Sequence, residues 1–385
     1  MTVEVTYGSD YGQYFGPVNI PKKASYNGVW YTVTSVGNHA FSGCSGLTNV
    51  TFPETVTSIG NYAFSGCNAM MEMTIPGTIT SIGNYAFNVC SSLKSIVFEF
   101  DPTPLKLGYG SSKGQSYSLF SDCPLQSLEI TRPLSYSTNS SYGYSPFAKH
   151  PTLKKVVYKN WVNTGSYLLY GCDALTSVVL PDFMTTINDY TFYGCKSLKN
   201  ISLPEKITSI GNSAFRNCNG FTSFTIGSGV ETIGEYCFAG CTSLKSFTFP
   251  VNLTKIGNFA FNGCTAIKEL SFEHGGNKNL EIGSGASNKL SNSIFYDCPL
   301  ESVTLARGLH YSTSSSYGYS PFANHPTLKS FTFNHLKNTG SYMLYGCAKL
   351  TSVNLGNMIT INDYAFANCK SLSVIFCRII FLWNF

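Results

Sequence analysis

The sequence predicts an α/β repeat fold: a solenoid of about 14 turns with a parallel sheet on one face and short helical or 3₁₀ turns opposite. Three observations lead to this class. Cysteines recur every 23 residues, a phrase of the type Ala-Phe-x-x-Cys closes each unit, and a strand-like alternation precedes it. A fixed period of this length indicates one supersecondary unit stacked many times. The regularly spaced cysteines are Cys44, Cys67 and Cys90, then Cys172, Cys195, Cys218, Cys241 and Cys264.

The unit that ends at Cys67 shows how each element is predicted. Apolar Val50 and Phe52 alternate with polar residues, which is typical of a short half-buried strand. Ile59, Phe64 and Cys67 then follow a spacing that favours one face of a short helix or 3₁₀ turn. Stacked turns would pair their strands in parallel about 4.8 Å apart.

The two ends of the chain depart from the repeat. Residues 1–30 hold an Asn27-Gly28 pair between strand-like runs, which predicts a β-hairpin cap. The solenoid is expected over residues 31–376. Residues 377–385 form an apolar tail that breaks the repeat.

The sequence also contains an internal duplication. Residues 70–195 recur as 244–369, and the phrase Ser-Tyr-Gly-Tyr-Ser-Pro-Phe appears twice, 175 residues apart. His150 and His325 take the position of the cysteine in equivalent turns of the two copies. The long turns around them are therefore expected at equivalent places in the two halves.

The 14 cysteines allow four interpretations. We interpret them as reduced thiols in the core, because each lies beside a phenylalanine expected to be buried. A disulfide framework, a metal site and a nucleophilic thiol are the alternatives. Zinc sites use closely spaced pairs, and a reactive thiolate needs exposure and nearby positive charge. We interpret His150 and His325 as packed rings bonded to the backbone, with a ligand or catalytic role as the alternative.

Composition narrows the classes of function. The net charge is +5 without a basic run, so no nucleic-acid partner is expected. No apolar stretch approaches the roughly 18 residues of a membrane-spanning helix. No motif of an enzyme, metal site or cofactor site stands out, and we expect no cofactor. The N-terminal residues do not resemble a signal peptide, which indicates either an intracellular protein or a removed export signal.

The phrase Ile-Gly-x-x-Ala-Phe-x-x-Cys-x-x-Leu, with proline after the strand, resembles the BspA-like class of leucine-rich repeats over about residues 31–376. The lead-in around Tyr26-Asn27-Gly28 is also similar. The resemblance implies a right-handed, curved leucine-rich-repeat solenoid whose sheet lines the concave face. It implies a secreted or cell-surface protein, in some members an adhesin for host matrix proteins or other microbes, and it supplies no catalytic residues.

Two sets of residues are candidates for binding. The first lies at outward positions of the predicted strands, where the alternative is polar filler that keeps the protein soluble. These candidates are Asn49, Thr51, Asn200, Ser202, Thr225 and Thr248.

The second set is aromatic and lies in and around the duplicated long turns. Tyrosine-rich loops give rigid amphipathic contacts at low entropic cost; the alternative is that these rings cover an irregular part of the core. Leu336 stands in the second copy where the first has Trp161. The candidates are Tyr136, Tyr142, Tyr144, Trp161, Tyr311, Tyr317 and Tyr319.

The sequence therefore favours a non-enzymatic recognition or adhesion protein of the cell surface. Its expected partner is a protein or a glycan on host or neighbouring cells, bound through the strand positions and the tyrosine-rich insertions. The alternative is a structural spacer or surface-layer component without a specific ligand.

Overall fold

The computed structural model is a parallel β-solenoid of about 13 turns, slightly fewer than expected, with no helix among the residues it describes. The parallel repeat architecture is confirmed, whereas the α/β class and the short helical turns are wrong. The chain divides into two compact units: Met1–Met184 with Gly194–Leu198, and Thr185–Tyr193 with Lys199–Phe385. The described residues are 1–6, 14–108, 119–120, 122–138, 145–274, 279–283, 293–295, 297–311 and 320–377.

The first unit builds two kinds of parallel sheet, one from longer strands and one from shorter strands. The longer strands are β2 (Gly16–Asn19), β5 (Leu47–Thr51), β7 (Glu72–Ile75), β9 (Ser95–Phe98), β11 (Ser127–Ile130), β13 (Lys155–Tyr158) and β14 (Ser177–Val179). They pair as β2–β5 and, in order, as β7-β9-β11-β13-β14.

The second sheet of this unit, the short-strand sheet, contains mostly two-residue and three-residue strands. Its members are β1 (Thr2–Val5), β3 (Lys23–Tyr26), β4 (Val29–Val36), β6 (Ser58–Ile59), β8 (Ser81–Ile82), β10 (Leu105–Leu107) and β12 (Leu134–Ser135). Their order is β1-β4-β6-β8-β10-β12, with β3 paired to β4.

The second unit repeats this plan. Its short-strand sheet has, in order, β15 (Thr186–Ile187), β16 (Ser209–Ile210), β17 (Thr232–Ile233), β19 (Lys255–Ile256), β21 (Leu280–Ile282) and β23 (Leu309–His310). Its long-strand sheet has, in order, β18 (Ser246–Phe249), β20 (Glu269–Phe272), β22 (Ser302–Leu305), β24 (Ser330–Phe333), β25 (Ser352–Asn354) and β26 (Val374–Phe376).

The predicted N-terminal hairpin is present. β3 and β4 run antiparallel and Tyr26 lies opposite Val29. Asn27 and Gly28 between them have φ angles of 48° and 78°. Two positive φ angles define a type I′ turn, whose twist matches that of paired strands.

The segment predicted to be helical forms a short strand and then a turn. Ile59 belongs to β6 and pairs with Ile82 of the next turn of the chain. After it, the N–H groups of Tyr62 and Phe64 donate to Asn84 and Ala86, at 3.0 and 2.8 Å. An α-helix would send these donors to carbonyls four residues back. Alternate N–H groups therefore bond to the next turn, while those of Ser65 and Cys67 close tight turns by donating to carbonyls three residues back.

Buried phenylalanines form the centre of the core. In the first unit, Phe41, Phe64 and Phe87 stack with ring centroids 5.2 and 5.3 Å apart. The column continues through Phe120 to Phe147 at 5.5 and 5.2 Å, and all five rings are buried. Stacking identical residues of successive turns buries surface that one turn could not bury alone.

Candidate binding site

All the cysteines are free thiols and all but Cys369 and Cys377 are buried. The Sγ of Cys67 donates to the carbonyl oxygen of Phe41 at 3.3 Å. Burial raises the pKa of the Cys172 thiol to about 12. A buried neutral thiol is a poor nucleophile and metal ligand. The expected core position is therefore found for all the cysteines except the half-buried Cys369 and the exposed Cys377. Ten further cysteines bond the same way to a phenylalanine or leucine carbonyl: Cys90, Cys123, Cys172, Cys195, Cys218, Cys241, Cys264, Cys298, Cys347 and Cys369.

The two histidines occupy the same position and use it in the same way. The Nε2 of His325 lies 3.2 Å from the carbonyl oxygen of Phe295, and His150 bonds to the carbonyl of Phe120. Both rings are buried, and burial lowers the pKa of each to about 4. The imidazoles are therefore neutral packing residues, as the sequence indicated.

Three of the strand candidates lie on long strands. Asn49 and Thr51 belong to β5 and Thr248 belongs to β18, and all three side chains are exposed. We call the outward side chains of the long-strand sheets the strand face. Thr248 is aligned with Ser271 of β20, so side chains of neighbouring turns form columns on this face.

The other three strand candidates, Asn200, Ser202 and Thr225, are exposed but lie outside the described strands. The strand prediction for these residues is wrong. Ile201 and Phe224 lie between these residues at inward positions, and each side chain is only 8% exposed. These turns keep the buried side of the repeat without its strand hydrogen bonds.

The aromatic candidates Tyr142, Tyr144, Tyr317 and Tyr319 lie outside the described residues, as does the apolar tail after Cys377. Tyr136 and Trp161, in contrast, line one pocket of about 480 Å³ in the first unit. We call it the Trp161 pocket.

Two tyrosine hydroxyls bond to the backbone of one segment that lines the Trp161 pocket. Tyr136 donates to the carbonyl of Ser166 at 2.8 Å, and Tyr158 donates to the carbonyl of Thr164 at 3.1 Å. Gly165, between these carbonyls, has a φ of 77°, and a Cβ there would lie 2.7 Å from the Tyr136 hydroxyl. The segment is therefore held in one conformation that requires glycine.

A buried guanidinium belongs to the same pocket lining. Nη1 of Arg132 donates to the carbonyls of Gly77 and Ile79, each at 2.9 Å, and Nη2 donates to that of Thr103 at 2.9 Å. Asp101 lies 3.6 Å from the same Nη2. Arg132 could not be predicted from a motif, because an isolated arginine carries none; its recurrence as Arg307 in the duplicated block was the available signal.

The second copy keeps the tyrosine hydrogen bond and replaces the tryptophan. Tyr311 donates to the carbonyl of Ser341 at 2.9 Å, as Tyr136 does to Ser166. Leu336 takes the place of Trp161. The two copies therefore share the bond of the first tyrosine, whereas Phe333 replaces Tyr158 and Leu336 replaces Trp161.

The described residues contain no group of three or more histidine, cysteine, aspartate or glutamate side chains placed to bind a metal ion. They also contain no helix with the length and hydrophobicity needed to span a bilayer.

The comparisons with known proteins identify the family. The model of the BspA type leucine rich repeat region matches residues 28–149, 162–286 and 265–373, in six copies. The chain belongs to this family, as its repeat phrase indicated. Leucine-rich-repeat proteins of this type are typically surface proteins and are generally non-enzymatic. No curated protein shows a significant sequence match to the chain.

The fold is shared with one solved leucine-rich repeat structure, and two further solved proteins are similar to the chain at lower TM-scores. A leucine-rich repeat protein from Bacteroides ovatus is 24% identical with a TM-score of 0.50, over 97% of this chain and 93% of that one. A leucine rich cell surface protein from Faecalibacterium prausnitzii is 20% identical with a TM-score of 0.38, over 99% and 91%. The pneumococcal vaccine antigen PcpA is 16% identical with a TM-score of 0.36, over 97% and 86%.

Proposed function

We propose that this chain is a non-enzymatic recognition or adhesion protein of the cell surface that binds a protein or glycan through the strand face and the tyrosine-containing long turns. One observation carries the proposal. On the long-strand sheet of the second unit, outward side chains align across five neighbouring strands into a polar column. Its members are Thr248, Ser271, Thr304, Thr332 and Asn354.

Such a column presents hydroxyl and amide groups at the strand spacing of about 4.8 Å. The backbone beneath them is fixed by sheet hydrogen bonds, so binding orders few additional groups. The face carries donors and acceptors but few charges, which suits an uncharged polar partner surface. The buried thiols and neutral histidines of the core offer no competing chemistry, because they are inaccessible to a substrate.

A binding screen tests the proposal. The whole chain is measured against immobilised host matrix proteins, mucins and glycans, together with the variants Thr248→Arg and Thr208→Arg. Thr248 is exposed on the strand face, whereas Thr208 is exposed beside the short-strand sheet of the same unit. We expect Thr248→Arg to weaken binding at least about tenfold, because it inserts a long charged side chain into the contact, and Thr208→Arg to leave it unchanged.

Two outcomes would contradict the proposal. Binding to nothing in the screen would favour the structural spacer. Equal binding by both variants, with melting temperatures like that of the parent chain, would exclude Thr248 and its column from the contact.

A further inference from the structure

We infer that the Trp161 pocket binds one uncharged sugar residue of a glycan. This inference rests on the proposed recognition function and names the ligand class of one site. The pocket volume of about 480 Å³ lies in the usual range for small-ligand sites, roughly 300–1,000 Å³. Its ligand chemistry follows from the groups that remain available on its walls.

Most hydrogen-bonding groups of Tyr136, Tyr158 and Arg132 are already used, and the Nε of Arg132, which has no partner among the described residues, is buried. The phenols of Tyr136 and Tyr158 donate to backbone carbonyls, and so does the guanidinium of Arg132. The positive charge of Arg132 also lies 3.6 Å from Asp101. These side chains therefore shape the pocket without offering a charge for an ionic ligand.

The half-buried Trp161 shares the pocket lining with Pro102, Pro104 and Pro133, and these four residues give the lining a stiff apolar part. An indole offers a flat π face to C–H groups. The axial C–H groups of a pyranose form such a flat apolar face, while its hydroxyls project around the ring edge.

Uncharged polar groups lie on the same lining. Ser135 and Thr138 are exposed, and Asn163 and Ser166 are partly exposed. The Oδ1 of Asn163 accepts the N–H of Gly165 at 3.1 Å, which leaves its NH₂ group as the donor. Hydroxyl and amide groups are matched donors and acceptors for sugar hydroxyls. An apolar wall with a neutral polar edge thus fits a ligand with one apolar face and a ring of hydroxyls.

The internal duplication separates what the fold needs from what the pocket adds. Arg132 and Tyr136 recur as Arg307 and Tyr311, whose side chains bond to backbone carbonyls in the same manner. Trp161 is replaced by Leu336. Phe333 and Gly308 likewise replace Tyr158 and Pro133 of the pocket lining. Trp161 therefore belongs to a set of lining residues found only in the first copy, and the shared arginine and tyrosine do not depend on it.

The experiment uses the whole chain and isothermal titration calorimetry with mannotetraose, maltotetraose, chitotetraose and N-acetyllactosamine. A proline-rich peptide is titrated in parallel, since aromatic pockets also accept such peptides. The test variant is Trp161→Leu, which copies the second repeat block. The matched control is Trp30→Leu, which makes the same change at an exposed position of the N-terminal hairpin, where the ring is 66% exposed.

We expect at least one neutral glycan to bind, Trp161→Leu to weaken it at least about tenfold, and Trp30→Leu to leave it unchanged. Binding of the peptide alone, equal binding by Trp161→Leu, or no binding of any neutral glycan would overturn the inference. Melting temperatures show whether each variant is folded. A Trp161→Leu chain that loses glycan but still binds a partner through Thr248 leaves the proposed function intact.

Discussion

At the residue scale, the cysteine position of the repeat favours a side chain that is buried and can also donate a hydrogen bond. The Cys218 thiol donates to Phe192, and His325 uses its imidazole to reach Phe295 in the same way. A small apolar residue would fill the space without making this bond. This shared donor explains why histidine replaces cysteine in two turns. The sequence predicted burial here, but the bond depends on an atom of the preceding turn.

The buried thiols are expected to be unreactive in the folded protein. Burial raises the pKa of Cys264 and Cys347 to about 12, so almost no thiolate is present near neutral pH. Titration with a chromogenic disulfide reagent should detect rapid reaction at the exposed Cys377 and slower reaction at the half-buried Cys369. In denaturant without reductant, all 14 should react. Fewer than 14 would reveal disulfides, and Cys377→Ser should remove the rapid phase.

At the element scale, the short strand explains the repeated Ile-Gly-Asn phrase. Asn38 accepts the N–H of Asn61 at 2.7 Å, and Asn61 accepts that of Asn84 at 2.7 Å. A Cβ on Gly60 would lie 2.6 Å from the backbone nitrogen of Asn38. Glycine therefore lets successive turns approach closely enough to form this asparagine ladder. The apolar spacing that suggested a helix reports only which side chains are buried, and a two-residue strand followed by a turn buries the same ones.

Gly60→Ala tests the close approach. The added methyl group has to push the neighbouring backbone away, and overpacking of this kind typically costs about 1–3 kcal/mol. Gly227→Ala is the matched control, because its nearest neighbours would lie 3.7 Å away, which is ordinary contact. Urea unfolding should show a lower midpoint for Gly60→Ala and a midpoint equal to or above that of the parent for Gly227→Ala. Equal loss in both variants would contradict the asparagine ladder as the reason for glycine.

At the scale of the whole molecule, the sequence predicted the parallel stacking because a period of 23 residues leaves no other way to bury Phe64 and its equivalents. It did not predict the second sheet, since Ser58 and Ile59 form too short a run to show strand alternation. It also placed strands at 200–202 and 223–225, where the structure has none. The sequence predicted only part of the Trp161 pocket, because the hydrogen bonds that form its lining join residues about 30 to 55 positions apart.

Acid should destabilise the whole molecule through its two buried histidines. Burial lowers the pKa of His150 and His325 from 6.5 to about 4. Between these values the unfolded chain binds protons that the folded chain does not, so stability falls as the pH decreases, by roughly 3 kcal/mol per histidine. Unfolding midpoints in urea at neutral pH and near pH 4.5 should differ most in the parent chain. The difference should shrink in His150→Cys and in His325→Cys, and most in the double variant. An unchanged difference would show that both rings are charged or exposed when folded.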